Sequence, residues 1–239
     1  MSLPRIDRRW FIGTSAASVG YFFTASRNSA VRAADNPSST LRFAGVGVGG
    51  KGGGDIDQAG ALGTVTAICD IDENTLNNKA KKWTDAAKFF DYRKLFDDAV
   101  SKTFDAVVVS TPDHNHAWPS LVAMSMGKHV YCQKPLTHTV FEARQMRETA
   151  RKYKVCTQMG NQGTAENGLR RAVELVQEGI LGKVKEIHVW TNRPVWPQAP
   201  EIIKRPASKD VPKHVHFDEF LGTAPLREVI FKAAFQLVE

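Results

Sequence analysis

Cysteine is scarce in this sequence, and its scarcity excludes two kinds of site. Cys69, Cys132 and Cys156 are an odd number of thiols, at spacings that match neither a disulfide framework nor a zinc motif. We expect buried, unpaired thiols that pack as small apolar side chains. The chain also lacks fixed-period repeats and low-complexity tracts, which excludes solenoid and fibrous architectures.

Acidic residues are outnumbered, 25 against 32 lysines and arginines, for a formal net charge of +7. Five arginines and one aspartate place +4 of this charge in residues 1–34 and leave only +3 for the rest of the chain. Because most of the excess lies in this short leader, we expect no nucleic-acid partner. The proportions of hydrophobic residues, 42%, and charged residues, 24%, are typical of a soluble α/β or α+β protein.

Residues 1–34 have the features of a targeting segment. Residues 7–12, with the sequence DRRWFI, place paired arginines before a mildly apolar stretch that is too short for a stable transmembrane helix. This arrangement resembles a twin-arginine export signal with a cleavage site near Ala33. It implies the twin-arginine export machinery as a partner and a periplasmic, bacterial location. A disordered basic leader or an uncleaved amphipathic helix is the alternative.

After a polar linker at residues 35–40, short apolar runs alternate with helical patterns. The run at 104–110 is continuously apolar at its centre, which is typical of a parallel strand covered on both faces. This order predicts a doubly wound, Rossmann-type parallel sheet over residues 41–159. The predicted strands lie at 41–46, 65–69, 104–110, 129–132 and 155–159. Predicted helices follow the glycine-rich turn after residue 46 and begin near Asp72, Trp118 and Thr139.

The pattern changes after residue 159. A helix with apolar positions at 169, 172, 173 and 176 precedes an alternating segment, 184–191, that predicts a long strand. We therefore expect residues 160–239 to form an incomplete α+β domain that binds the substrate.

A glycine-rich motif follows the first predicted strand. Residues 47–52 fit G-x-G-x-x-G, in which the glycines allow a tight turn, close approach to a pyrophosphate and close packing of helix on strand. The predicted cofactor-binding residues of this loop are Gly47, Val48, Gly49, Gly50 and Gly52. The motif also fits at 45–50, and a simply flexible loop is the alternative.

Asp70 ends the second predicted strand, 23 residues after Gly47. A carboxylate at this distance commonly hydrogen-bonds the adenosine ribose of the cofactor. It would repel the extra phosphate of NADP, so NAD is favoured over NADP. The alternative is that Asp70 is a turn residue at the end of a strand.

Five short motifs lie in this part of the chain: residues 47–52, Cys69-Asp70, residues 110–116 (STPDHNH), residues 127–131 (GKHVY) and Gln133-Lys134-Pro135. Together they resemble the Gfo/Idh/MocA oxidoreductases, over residues 41–227. In that family the motif Glu-Lys-Pro carries a lysine that hydrogen-bonds the substrate hydroxyl near the nicotinamide. Lys134 occupies that position, Gln133 replaces the glutamate, and Pro135 is expected to follow a cis peptide bond.

The resemblance places Ser110, Thr111, Pro112 and His116 near the cofactor, together with Gln133, Lys134 and Pro135, and makes Lys134 a substrate residue as well. Position in the predicted fold adds Gln162 near the cofactor, and Asn161 and Arg193 near the substrate, because the segment after the last predicted strand lies at the edge of the sheet where the cleft opens. A lysine with a lowered pKa assists hydride transfer by handling the proton of the reacting hydroxyl, although Lys134 in isolation also fits a surface position. His114 and His116 lack partners at metal-ligand spacing, so we expect no metal.

Beyond Arg227 the resemblance implies the rest of a second-domain sheet and a catalytic histidine, and residues 228–239 contain neither. We therefore expect a truncated or frame-shifted product, with a deliberately shortened binding protein as the alternative. The expected activity is hydride transfer between nicotinamide and a sugar or polyol hydroxyl, which truncation can abolish. NAD-dependent glycoside hydrolysis and non-catalytic nucleotide binding are the rivals. A complete second domain would also imply a homo-oligomer.

Overall fold

The computed structural model describes residues 40–191 and 210–225. The expected signal peptide, the linker up to residue 39 and Arg193 lie outside these residues. The described residues from Arg42 onward belong to one compact unit.

A six-stranded sheet with the order β3-β2-β1-β4-β5-β6 forms the centre of this unit. Its pairs β1–β4, β2–β3, β4–β5 and β5–β6 are parallel. This order is that of a doubly wound dinucleotide-binding fold and confirms the predicted fold class. The strands are β1 (Leu41–Val46), β2 (Gly63–Cys69), β3 (Ala87–Phe89), β4 (Ala106–Val109), β5 (His129–Gln133) and β6 (Thr157–Gly160).

Helices connect the strands and extend beyond the last one. They are α1 (Gly50–Gly60), α2 (Glu73–Ala80), α3 (Tyr92–Leu95), α4 (Asp98–Ser101), α5 (Ala117–Ser125), α6 (Val140–Tyr153), α7 (Gln162–Ala165), α8 (Asn167–Gln177) and α9 (Phe217–Leu221). A 3₁₀ turn, Asp113–Asn115, precedes α5.

The core lies on both faces of the sheet because the central strand β4 is apolar along its whole length. In β4, Val107 and Val109 pack in one cluster with residues of α5 and α6, while Val108 packs in the other with residues of α1 and α2. All three valines are buried. The continuous apolar run of β4 therefore corresponds to a strand with helices packed on both faces of the sheet.

Two predictions for the later part of the chain are wrong. Residues 184–191 do not form a strand, and Val189 and Trp190 are 90% and 85% exposed. A strand needs a neighbouring strand for its backbone hydrogen bonds, and none of the described residues provides one here. The sixth strand begins at Thr157 rather than 155, so Cys156 precedes it and is exposed, whereas Cys69 and Cys132 are buried as expected.

Helix α8 carries an apolar stripe that is not packed. Leu169, Val173 and Val176 are each between 44% and 48% exposed. Among the helices that the structure describes, none has both the length and the apolar composition to cross a membrane.

Candidate dinucleotide-binding site

The turn between β1 and α1 requires two of its glycines. Gly47 has a φ of +77°, a conformation that side-chain-bearing residues rarely adopt. A Cβ on Gly52 would lie 1.9 Å from the carbonyl oxygen of Gly47. The G-x-G-x-x-G motif in the 47–52 register therefore matches the packing of the turn, since its third glycine lets α1 approach the strand.

The N-terminus of α1 is open to an anion. Its N-cap residue, Gly49, has no side chain to accept the first N–H groups, and no acidic residue lies in the first turn. The N-terminal N–H groups of a helix carry partial positive charge and bind phosphate well. The turn and the helix together form a cradle that fits a diphosphate.

Asp70 lies directly after β2, beside this cradle. Its Oδ2 accepts hydrogen bonds from the backbone N–H of Val48 (2.9 Å) and Gly49 (3.1 Å), and its Oδ1 accepts one from Asp72 (3.0 Å). Burial raises the pKa of the Asp70 carboxyl, although these backbone hydrogen bonds act in the opposite direction. A carboxylate has about four lone-pair positions, so one acceptor position remains for a ligand hydroxyl.

A pocket of about 480 Å³ lies at the carboxyl edge of the sheet, where open α/β folds bind ligands. It brings together most of the predicted site residues. Those that line it are Gly47, Gly49, Gly50, Gly52, Asp70, Ser110, Thr111, Pro112, His116, Gln133 and Lys134.

Lys134 follows β5 at the rim of this pocket. The Lys134–Pro135 peptide bond is cis, as expected. The side chain is exposed, and within the described residues no carboxylate lies within ion-pair distance of its Nζ. The described residues therefore leave the Lys134 amine open to solvent.

His116 ties two loops of the pocket together. Its ring is buried, with Nδ1 against the carbonyl oxygen of Pro135 and Nε2 2.7 Å from that of Thr111. The ring therefore holds the Lys134–Pro135 turn against the end of β4. Both nitrogens contact backbone rather than the open space of the pocket.

Four predicted residues do not line the pocket. Val48 is buried and contributes its N–H to Asp70, and Pro135 contacts the His116 ring through its carbonyl oxygen. Asn161 and Gln162 follow β6, and the Gln162 side chain contacts the Tyr131 hydroxyl instead.

A segment from the end of the described chain covers part of the pocket. Glu219 and Phe220 line it, and the His114 Nε2 donates to the Phe220 carbonyl oxygen at 2.7 Å. The His216 ring stacks on Phe90 with centroids 3.8 Å apart. The sequence pattern assigns this segment to the substrate domain and does not indicate its contribution to the pocket. No local pattern shows that residues more than a hundred positions apart will meet.

A second feature that the sequence pattern did not indicate is the buried carboxylate of Asp55, on α1. It accepts from Lys51 Nζ at 2.5 Å, and from Ser110 Oγ and Gln133 Nε2 at 2.9 Å each. Burial and this nearby carboxylate raise the pKa of the Tyr131 hydroxyl. In the sequence, the feature that points to Asp55 is its position four residues after Lys51 in a glycine-rich helix.

No three His, Cys, Asp or Glu side chains in the described part of the chain converge as ligands of a metal would. The fold, the glycine turn, the open helix terminus and the acid after β2 together define a dinucleotide-binding protein.

Residues 41–161 match the model of the Gfo/Idh/MocA oxidoreductase family with an NAD-binding Rossmann fold. The chain belongs to this family, as its motifs indicated.

Three known proteins illustrate the similarity. The chain is 27% identical over 172 residues to D-xylose 1-dehydrogenase [NADP(+)] of Haloarcula marismortui, covering 71% of this chain and 47% of that protein. It is 28% identical over 204 residues to a glycosyl hydrolase family 109 protein of Shewanella pealeana, covering 75% and 44%. The crystal structure of myo-inositol 2-dehydrogenase from Lactobacillus plantarum matches with a TM-score of 0.56 at 23% identity, covering 61% of this chain and 43% of that one. This chain therefore spans less than half the length of each.

Proposed function

We propose that the protein is an NAD-dependent oxidoreductase that oxidises a hydroxyl group of a sugar or polyol. The observation that carries this proposal is the meeting, in one pocket, of the glycine turn, Asp70 and Lys134. The three follow different strands, and they suit the binding of a diphosphate, the binding of a ribose and the transfer of a proton. Similarity to a xylose dehydrogenase supports a carbohydrate substrate.

Each group has a distinct task. The N-terminus of α1 holds the diphosphate, and the remaining acceptor position of Asp70 holds a ribose hydroxyl. A bound nicotinamide supplies the hydride acceptor. The Lys134 amine, when neutral, takes the proton of the substrate hydroxyl as the C–H bond is broken, and as an ammonium it returns that proton in the reverse direction.

Asp70 also supports NAD over NADP. A carboxylate that faces the adenosine ribose repels a 2′-phosphate at short distance. The similar xylose dehydrogenase is named for NADP. We therefore propose the preference of this chain for NAD from the charge of Asp70, and titration with both cofactors measures it.

The test begins with NAD binding to the purified chain, followed by NADH formation with a panel of sugars and polyols. We expect Lys134→Met to lower NADH formation by about 10²-fold or more, since general acid–base groups contribute about 10²–10⁴-fold. NAD affinity should stay within about threefold because Lys134 lies at the rim rather than in the cradle.

The exposed residue Lys81 provides a matched control, because Lys81→Met removes the same charge far from the pocket. Equal activity of the two variants would exclude Lys134 from the chemistry. Absence of NAD binding by the parent chain would overturn the whole proposal.

A second candidate is NAD-dependent hydrolysis of a glycoside, favoured by the similarity to a family 109 glycosyl hydrolase. Release of a chromogenic aglycone that depends on added NAD, without net formation of NADH, would support it.

We also propose export by the twin-arginine route, on the evidence of Arg8 and Arg9. Replacement of both arginines by lysine should leave the protein in the cytoplasmic fraction of a bacterial host. Unchanged periplasmic recovery would contradict this proposal.

A further inference from the structure

Asp55 is the most buried acid of the described residues. Its side chain is 4% exposed, yet it lies on the helix that would hold the cofactor diphosphate. A buried carboxylate is retained only where its oxygens are hydrogen-bonded. Here the donors come from three elements: Lys51 of α1, Ser110 after β4 and Gln133 at the end of β5.

Gln133 uses both ends of its amide. Its Nε2 donates to Asp55 Oδ2 at 2.9 Å, and its Oε1 accepts the backbone N–H of Lys134 at 2.9 Å. A Cβ on Gly160 would lie 2.8 Å from the Gln133 Cδ, so this glycine leaves room for the amide. The orientation of Gln133 is therefore set by the carboxylate on one side and by the Lys134 backbone on the other.

The amide of Gln162 supports the same orientation. With its oxygen toward the Tyr131 hydroxyl it also accepts from Gln133 Nε2, while its nitrogen donates to the Gly160 carbonyl. Both neighbours of Gln133 Nε2 are then acceptors. Only a side chain that donates at this end and accepts at the other fits the site.

This geometry favours glutamine over glutamate at position 133. A glutamate at 133 would bring a second carboxylate oxygen against Asp55 in a buried site. The pair therefore has one negative charge, which Asp55 of α1 carries, while Gln133 of β5 is neutral.

We propose that Asp55 and Gln133 are a matched pair of positioning residues for Lys134, and that the pair requires one carboxylate and one amide. The role assigned to Lys134 rests on the proposed function. The pair itself is a property of the folded chain without cofactor. Asp55 thereby links the diphosphate cradle to the turn that presents the lysine.

The experiment exchanges the two groups. The variants are Gln133→Glu, Asp55→Asn, the double variant with both changes, and Gln145→Glu as a control that adds the same charge on the exposed side of α6. The first readout is the hydrogen-exchange rate of the Lys134 backbone amide, followed by NMR in the protein without cofactor. The second is the midpoint of thermal unfolding, Tm.

Each single change should raise the exchange rate of the Lys134 amide by about tenfold or more, because its acceptor is no longer held. Gln133→Glu should also lower the Tm by about 5 °C. The double variant restores a donor opposite a carboxylate, so it should recover at least half of each effect. Gln145→Glu should change neither quantity.

Effects of the two single changes that simply add in the double variant would overturn the pairing, as would equal behaviour of Gln133→Glu and the control. If the Tm recovers in the double variant while Lys134 exchange never changes, the pair is structural and does not position Lys134. These readouts need no turnover, so failure of the parent chain to form NADH would reject the proposed function and leave this test intact. Where turnover is present, Gln133→Glu should lower kcat about tenfold with the KM for NAD within about threefold.

Discussion

The glycines of the β1–α1 region illustrate how differently neighbouring positions constrain the molecule. Gly52 faces the carbonyl of Gly47, whereas a Cβ on Gly54 would meet no atom within 4 Å. Sequence alone predicts a glycine motif here, but it does not distinguish a glycine required by packing from one that is incidental. The distance from each glycine to the neighbouring backbone, which the structure gives, distinguishes the two cases.

Gly52→Ala should therefore lower the free energy of unfolding by about 1–3 kcal/mol and weaken NAD binding strongly, because the added methyl displaces the turn. Gly54→Ala should raise the free energy of unfolding by about 0.5–1 kcal/mol, since alanine favours a helix interior. Urea denaturation and NAD titration check both. Equal effects of the two substitutions would show that the turn is not packed as described.

Asp70 should control the choice between NAD and NADP. Asp70→Ala removes the charge that would repel a 2′-phosphate, so we expect the ratio of NADP to NAD dissociation constants to fall by about tenfold or more. Titration of both cofactors measures this ratio. The exposed Asp85, changed to Ala, is the control and should leave the ratio unchanged.

The same carboxyl predicts a pH dependence. Burial raises the pKa of Asp70, so protonation begins at a higher pH than for an ordinary aspartate. As the pH falls through this raised pKa the carboxylate loses its charge, and the preference for NAD should decline. The Asp70→Ala variant should lack this decline in NAD preference. Comparison with the parent chain therefore separates the titration of Asp70 from the titration of the 2′-phosphate of NADP.

At the scale of single elements, α6 could be predicted because residues close to its two ends in the sequence determine where it begins and ends. Thr139 and Glu142 form a capping box, with Thr139 Oγ1 accepting from the Glu142 N–H and Glu142 accepting from the Thr139 N–H. The helix ends at Tyr153, and the C-cap residue Lys154 has a φ of +54°. The predicted strand at 184–191 failed because an alternating pattern specifies a strand only where another strand pairs with it.

Changes at the two ends of α6 should have opposite effects on stability. Thr139→Ala should lower the free energy of unfolding by about 1 kcal/mol through loss of the cap. Lys154→Gly should raise it by about 0.5–1 kcal/mol, because glycine adopts a positive φ without strain. Lys152→Gly, inside the helix, should instead lower it by about 1 kcal/mol. Denaturant titration of the three variants tests the assignment, and NAD affinity should remain unchanged in all of them.

At the scale of the whole molecule, some apolar side chains of the described residues are buried in the core and others are exposed on the surface. Leu76 is 6% exposed in one of the two core clusters, while Val173 on α8 is 46% exposed. The periodicity of both helices is similar in the sequence, so it indicates an apolar face without showing whether that face is covered.

Leu76→Ala should consequently lower the free energy of unfolding by about 2–5 kcal/mol. Val173→Ala should change it by about 0.5 kcal/mol or less, because the side chain leaves little protein contact behind. Denaturant titration compares the two. A large loss in Val173→Ala would show that α8 is covered in solution.

The sequence by itself determined the dinucleotide-binding class, the positions of most strands and helices of residues 41–160, and the convergence of Gly47, Asp70 and Lys134 at one sheet edge. These depend on local periodicity, on capping and glycine motifs, and on the rule that parallel strands present their carboxyl ends together. Only the tertiary structure decided that Asp55 meets Gln133 across 78 positions and that Asn115 meets Phe220 across 105. Contacts of that kind depend on which segments lie side by side after folding, and no local pattern encodes them.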